Sequence, residues 1–171
     1  MVLNTAPLPP LNFIRRPAEY DELIEHLLSQ SDPGPLAITT VLQGGGGFGK
    51  TVLAQDICRD ARVEAAFPGG ILWVEFGQSP TVIQLLNNQI QLLENNDSLT
   101  DINAAAARLR ELLAKRRVLL VLDDVWYQDH LTPFIQPSPT SCAHLITTRN
   151  QDLVRLIGAQ LVSVRQPQDL K

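Results

Sequence analysis

Cysteine is scarce. The 171 residues hold two, Cys58 and Cys142, in different expected elements and with no metal-ligand spacing around either. That leaves a disulfide framework or a zinc site without support, and both thiols read as core residues of a protein in a reducing compartment. Basic charge is scarce as well: the formal net charge is -4 and the pI is near 5.3. A surface that neutralises a nucleic-acid backbone normally carries a basic stripe, so no direct nucleic-acid partner is expected. No run is apolar and long enough to span a membrane, and the start MVLNTAPLPP has neither the basic nor the apolar part of a signal peptide. A cytoplasmic protein with no membrane partner is the expectation. Internal repeats are absent too. What remains, 44% hydrophobic and 19% charged residues, suits one globular domain with a sizeable core. Residues 1–12, rich in proline, read equally as a linker to an upstream partner domain or as a frayed, disordered terminus. The folded domain is expected over residues 13–171.

Hydrophobic periodicity sketches the elements. Tyr20, Leu23, Ile24, Leu27 and Leu28 fall on one face of a helix from Ala18 to Leu28, with Pro17 at a good first helical position. Leu36 to Leu42 reads as a largely buried strand that leads into four glycines. Ala54, Ile57 and Ala61 predict a helix after them, ending near Phe67 to Gly70. Ile71 to Phe76 is a second strand, and Ser79-Pro80 caps and starts a helix carrying Ile83, Leu86, Ile90 and Leu93. Another helix bears the stripe Ile102, Ala105, Ala106, Leu109, Leu112 and Leu113, with Lys115, Arg116 and Arg117 where the dipole favours cations. Val118 to Leu122 is a fully buried third strand. A loop holding Pro133, Pro137 and Pro139 leads to a fourth strand over Ala143 to Thr147. Asn150 caps a short helix that Gly158 ends, and Leu161 to Val164 is the fifth strand. Strands that are apolar on both faces and alternate with helices imply an α/β fold, a parallel sheet between helix layers.

Between the first strand and the next helix, Gly44 to Thr51 fits G-x-x-x-x-G-K-[ST], the phosphate-binding loop or Walker A motif, in the context that motif requires. Glycines let successive N–H groups turn inward toward a β-phosphate, and the helix N-terminus adds partial positive charge. Lys50 would reach the β- and γ-phosphates, and the Thr51 hydroxyl would ligate Mg²⁺. The competing reading is a flexible glycine linker, which needs neither Lys50 nor Thr51. A phosphate loop also demands an acidic residue at the end of another buried strand, the Walker B position. Asp123 meets that demand and Asp124 follows it, at the carboxyl edge of the sheet where ligands of such folds collect; the alternative is a solvated Asp-Asp pair. Arg149 stands just before the Asn150 cap, where a cation is locally unfavourable. A nearby anion such as a γ-phosphate explains that placement, and an arginine exposed to water is the plainer reading.

Three strings in order, Gly44 to Thr51, Leu119-Leu120-Val121-Leu122-Asp123-Asp124-Val125-Trp126 and Leu145-Ile146-Thr147-Thr148-Arg149, together resemble the NB-ARC nucleotide-binding domain of STAND-class signalling ATPases. The resemblance runs from Phe13 to about Pro167. It implies a three-layer P-loop NTPase fold with a five-stranded parallel sheet of order 5-1-4-3-2, which puts Arg149 beside the γ-phosphate. It further implies that ATP or ADP lies on Gly44, Gly46, Gly47, Phe48, Gly49, Lys50, Thr51 and Val52. Thr51 and Asp123 would serve Mg²⁺, Asp124 would act as general base on water, and Lys50 and Arg149 would act on the γ-phosphate. The family string that lies against adenine corresponds to Phe13-Ile14-Arg15-Arg16, in which Ile14 and Arg16 match and Arg15 replaces a glycine. Val52 stands where many members have a second threonine. The chain stops at Lys171, before the helical lid and winged-helix domains that complete the pocket in such proteins. None of His26, His130 or His144 matches the family's ADP-contacting histidine, and all three read as structural.

The resemblance thus implies the ATP/ADP-binding core of a molecular switch with slow hydrolysis, whose partners are other domains of a parent chain and further copies of itself when ATP-bound. A nucleotide-dependent protein-binding module without turnover is the alternative. A metabolic P-loop kinase would need a second substrate site that the sequence does not display.

Overall fold

The computed structural model describes residues 1–28, 37–42, 49–136, 141–157 and 160–164. The elements run α1 (Pro17–Leu28), β1 (Ala37–Leu42), α2 (Lys50–Ile57), α3 (Ala61–Ala66), β2 (Gly70–Gly77), α4 (Val82–Leu93), α5 (Ile102–Ala114), β3 (Val118–Val125), α6 (Gln128–Ile135), β4 (Cys142–Thr148), α7 (Gln151–Ile157) and β5 (Gln160–Val164). The strands form one sheet in the order β2-β3-β4-β1-β5, with parallel neighbours throughout. Parallel strands need crossovers, and the intervening helices supply them on both faces.

The period of two in β3 shows how the layers form. Leu119 and Val121 point to one face, where they join Leu23, Ile24 and Leu27 of α1, Leu53 and Ile57 of α2 and Val63 of α3. Val118, Leu120 and Leu122 point to the other, against Leu86 and Ile90 of α4, Leu109 and Leu113 of α5 and Phe134 of α6. A strand buried on both sides cannot alternate with polar residues, which explains the unbroken apolar run in the sequence. Each fully buried leucine or isoleucine contributes roughly 1.5–3 kcal/mol.

Four local expectations need correction. The helix expected from Ala54 through Ala61 is two: α2 closes at Cys58, and Asp60 restarts the chain as N-cap of α3, its side chain accepting from Arg62 N at 2.8 Å. The helical spacing of the apolar residues concealed the break, because both short helices bury the same face. α4 begins at Val82 after Thr81 rather than at Pro80. The stretch expected as a proline loop contains α6, with Pro133 inside it. Burial overrides propensity there: Leu131 and Phe134 are buried, the Phe134 ring packs edge-on against Phe76 with centroids 5.1 Å apart, and Thr132 Oγ1 donates to Gln128 O at 3.0 Å.

The fourth correction concerns the proline-rich terminus, whose residues Leu3 to Ala6 are docked rather than free. Ile71 N donates to Leu3 O at 2.8 Å and Thr5 N donates to Ile71 O at 3.0 Å, so Asn4 forms a parallel bridge with Ile71 on the outer edge of β2. Asn4 Nδ2 also donates to Cys58 O at 2.8 Å and to Glu64 Oε1 at 3.1 Å, and Arg59 donates to the carbonyl of Ala6, which is buried. An edge strand with unpaired N–H and C=O groups is thereby covered. Gly70 permits the approach: its φ is 133°, and a Cβ there would lie 3.3 Å from Leu3 O.

Candidate functional site

The carboxyl ends of β3 and β4 meet the N-terminus of α2, and the candidate residues gather there. Gly49 occupies the N-cap of α2 with φ 115°, a conformation that L side chains rarely adopt, and Leu53 N donates to its carbonyl at 2.8 Å. Gly49 offers no side-chain cap, so among the described residues the first N–H groups of the helix lack one, an arrangement that an anion would complete. Of the loop residues expected to contact phosphate, Gly44, Gly46, Gly47 and Phe48 lie outside the described residues.

Lys50, the first residue of α2, is 5% exposed and donates from Nζ to Thr148 O at 3.2 Å. Burial pushes its pKa down, Arg149 pushes it the same way, and the carboxylates of Asp124 and Asp123 oppose both. The next residue, Thr51, donates from Oγ1 to Asp123 Oδ1 at 2.8 Å. Thr147 Oγ1 donates to that same oxygen at 2.6 Å. Asp123 is 4% exposed, and burial raises its pKa against these two hydroxyl hydrogen bonds, with Asp124 and Glu75 raising it further. Lysine and aspartate therefore share one edge of the sheet without a salt bridge between them, each bonded to neutral oxygens.

Asp124 follows in the left-handed region at φ 56°, and its N–H donates to Thr147 Oγ1 at 2.9 Å. Its carboxylate makes no hydrogen bond among the described residues and is half-exposed. Arg149 is exposed just beyond β4, with its guanidinium 5.7 Å from the Trp126 ring centroid, a cation–π contact. β4 lies between β1 and β3, so Arg149 leaves the sheet beside the strand ends that carry Lys50 and Asp123. Thr148 ties that corner together: its Oγ1 donates to Val125 O at 2.6 Å and accepts from Asn150 N at 3.0 Å. Asn150 caps α7 as expected, accepting from Asp152 N at 3.0 Å.

The segment expected to face adenine divides. Arg16 reaches the site, since a Cβ on Gly49 would lie 3.1 Å from Arg16 Nη2. Ile14 is 75% exposed. Arg15, the residue in place of glycine, turns away: it forms a two-pronged ion pair with Asp56 of α2, at 3.0 and 3.1 Å, and lies 5.4 Å from the Tyr20 ring centroid. Val52 is half-buried on α2. His144 is buried within β4 and burial lowers its pKa to about 4, so it is a neutral core residue at physiological pH. No group of three or more potential metal ligands of the His, Cys, Asp and Glu types occurs among the described residues. No helix among them is long and apolar enough to cross a membrane.

Sequence reasoning passed over Thr147, Thr148 and the Arg15–Asp56 pair. A threonine in a β-strand reads as ordinary strand filler, and a pair 41 residues apart leaves no local trace. The Thr-Thr doublet next to Arg149 was the available signal for the first two.

Comparison with protein families matches residues 16–170 to the NB-ARC domain. Among curated proteins, the chain is 32% identical over 151 residues to disease resistance protein RGA2 of Solanum bulbocastanum, covering 84% of this chain and 15% of that protein. It is 32% identical over 157 residues to apoptotic protease-activating factor 1 of Homo sapiens, with 86% and 12% covered. Regulatory protein AfsR of Streptomyces coelicolor is 33% identical over 152 residues, with 85% and 15% covered. The chain thus spans less than a fifth of the length of each of these relatives. Among solved structures, the Aeropyrum pernix ORC1 protein in complex with DNA superposes with a TM-score of 0.57 at 17% identity, over 92% of this chain and 46% of that one, a likeness of fold alone.

Proposed function

The chain belongs to the NB-ARC family, and from that premise we propose that it is the ATP/ADP-binding core of a STAND-type signalling switch. It binds Mg²⁺-nucleotide, hydrolyses ATP slowly, and through the bound state controls assembly of a longer cytoplasmic regulator. One observation carries the proposal: Lys50, Thr51, Asp123 and Asp124 converge on a helix N-terminus whose N-cap Gly49 gives no side-chain cap, and the buried lysine and buried aspartate have no ion-pair partner among the described residues. A buried cation and a buried carboxylate that do not neutralise each other need counter-charges from elsewhere, and a magnesium-bound polyphosphate carries both signs.

The donor set fits that ligand. Thr51 gives its proton to Asp123, which leaves the lone pairs of Thr51 Oγ1 for a hard cation. Thr51 and Asp123 would hold Mg²⁺, which supplies charge neutralisation of phosphate oxygens when bound. Lys50 has further N–H donors beyond the one engaged with Thr148, and these orient a phosphoryl group beside the α2 N-terminus. Arg149, which contacts the Trp126 ring and pairs with no carboxylate among the described residues, is available to respond to a γ-phosphate at the end of β4. Asp124, whose carboxylate is uncommitted among the described residues, is the candidate to accept a proton from water. Arg16, whose guanidinium lies beside Gly49, would add a second cation to the site, and Ile14 and Val52 would contact the nucleotide in this reading. Gly44, Gly46, Gly47 and Phe48 complete the loop in this reading.

Asp124→Asn separates a hydrolytic switch from a binding module. In the switch, titration calorimetry finds Mg²⁺-ADP affinity preserved and phosphate release from ATP reduced. A module without turnover releases no phosphate above a Lys50→Ala control in either protein, and that outcome removes hydrolysis from the proposal.

A further inference from the structure

β3 and β4 lose register at one place. Leu122 pairs with Ile146 and Val125 pairs with Thr148, so Asp123 and Asp124 together oppose the single residue Thr147. Two residues facing one define a β-bulge, which re-aims side chains and frees a backbone group from the ladder. The consequence is visible at Asp124, whose φ of 56° is uncommon for a residue with a side chain. Its N–H, displaced from a strand partner, is received by Thr147 Oγ1 at 2.9 Å. The proton of that hydroxyl goes to Asp123 Oδ1 at 2.6 Å. Thr147 is 1% exposed, so water is not at hand to replace either bond.

We propose that Thr147 is a positioning residue for the magnesium-nucleotide site, a reading that rests on the function proposed above. Its single hydroxyl, bridging the Asp123 carboxylate and the Asp124 backbone, sets the two acids of the bulge in fixed relation. With Oδ1 held by Thr147 from β4 and by Thr51 from α2, Asp123 cannot rotate away from the Thr51 hydroxyl. Thr51 therefore keeps its proton directed at Asp123 and its lone pairs toward the cation, and Asp124 keeps the backbone turn that aims its carboxylate out of the sheet. A β-branched side chain with a stiff χ1 suits the task, because the hydroxyl has to point one way with little entropic loss. Valine would match the shape and lose both bonds; serine would keep both.

The test uses Thr147→Val and Thr147→Ser in the whole chain, with two readouts. The first is ADP affinity with and without Mg²⁺ by titration calorimetry. The proposal expects Thr147→Val to lose about 10-fold or more of the affinity gained from Mg²⁺, the scale of one hydrogen bond to a charged group, with metal-free affinity unchanged and Thr147→Ser close to the parent. The second is hydrogen exchange of the Asp124 amide without any ligand, expected to quicken by about 10-fold or more in Thr147→Val and not in Thr147→Ser. Parent-like magnesium dependence and parent-like exchange in Thr147→Val would overturn the proposal, as would loss of both in a folded Thr147→Ser. If the parent chain shows no magnesium-dependent ADP binding, the nucleotide reading fails, and the Asp124 exchange rates alone decide whether Thr147 fixes the acidic pair. Should Thr147→Val not fold, Thr147→Cys, with its weak S–H donor, takes its place under the same outcomes.

Discussion

The two ends of α2 carry buried polar groups built on opposite principles. At the C-terminal end, Asp56 and Asp60 each meet an arginine. Asp56 takes a forked ion pair from Arg15, and Asp60 caps α3, pairs with the Arg62 guanidinium at 2.7 Å and accepts from Tyr20 Oη at 2.6 Å. The Arg62 hydrogen bond holds the Asp60 carboxyl well below the usual carboxylate range, while burial, ahead of the Asp60 hydrogen bond, pushes Tyr20 up to about 12. At the N-terminal end, Lys50 is pushed down and Asp123 pushed up, both chiefly by burial, and among the described residues neither bonds to a charged group. The first pattern staples helices together; the second holds unlike charges apart, at a cost in stability that a ligand bearing both signs would relieve. On the proposed function, stability and binding are distributed to opposite ends of one two-turn helix.

The comparison breaks most visibly at Lys50. Lys50→Met removes the charge and keeps the stem, and nucleotide affinity should fall by at least about 30-fold, the scale of truncating one partner of a buried charged contact. The empty protein should melt at a higher temperature, because the fold disfavours the charged lysine. Affinity and stability moving in opposite directions, seen by calorimetry and thermal melting, is the signature; a joint fall would make Lys50 a structural residue.

Asp123→Asn comes next. It should cancel most of the magnesium dependence of ADP binding, about 10-fold, and leave metal-free binding and the empty-state melting temperature no lower than the parent's. Asp60→Ala sharpens the contrast from the other end. It removes the α3 cap and should cost about 1–2 kcal/mol, with ADP affinity unchanged. The sign of the pH dependence follows from the lowered folded pKa. Asp60 contributes its stability above the unfolded value of about 3.9, and that contribution fades as pH falls from there toward the lower folded value. The gap between parent and Asp60→Ala in denaturant titrations should therefore narrow in acid. Arg15→Gly is the smallest effect: its ion pair is 63% exposed on the arginine side, so a slight loss of melting temperature that shrinks as salt is raised is expected, with nucleotide affinity unaltered.

Legibility in the sequence follows the same divide. Lys50, Thr51, Asp123 and Arg149 could be singled out because phosphate chemistry would fix residue type and spacing within short strings, and the structure gathers them at one sheet edge; the buried strands could be read because two-sided burial forbids polar alternation. Thr147 could be read only as half of the Thr-Thr doublet, since its two contacts arise from a bulge, and a one-residue loss of register between strands 24 positions apart leaves no signature of its own. The α2–α3 break, the helix around Pro133 and the docking of Leu3 to Ala6 were hidden for a related reason. In each, a tertiary contact decides what local propensity leaves open or opposes: burial of Phe134 on Phe76, the Asp60 cap, the edge of β2. Arg15 was legible as a departure from the family pattern and illegible in its effect, which is to pair with Asp56 while the Arg16 guanidinium lies beside Gly49.

Thermal unfolding of the chain with and without Mg²⁺-ADP tests the central claim most directly, because linkage counts only ligand bound to the folded state. At a ligand concentration one hundred times Kd, the fold should gain about 2.7 kcal/mol, and Lys50→Met should lose that gain at the same concentration. An unchanged melting temperature at saturating nucleotide, or an equal shift in parent and Lys50→Met, would contradict the assignment of this cluster as a nucleotide site.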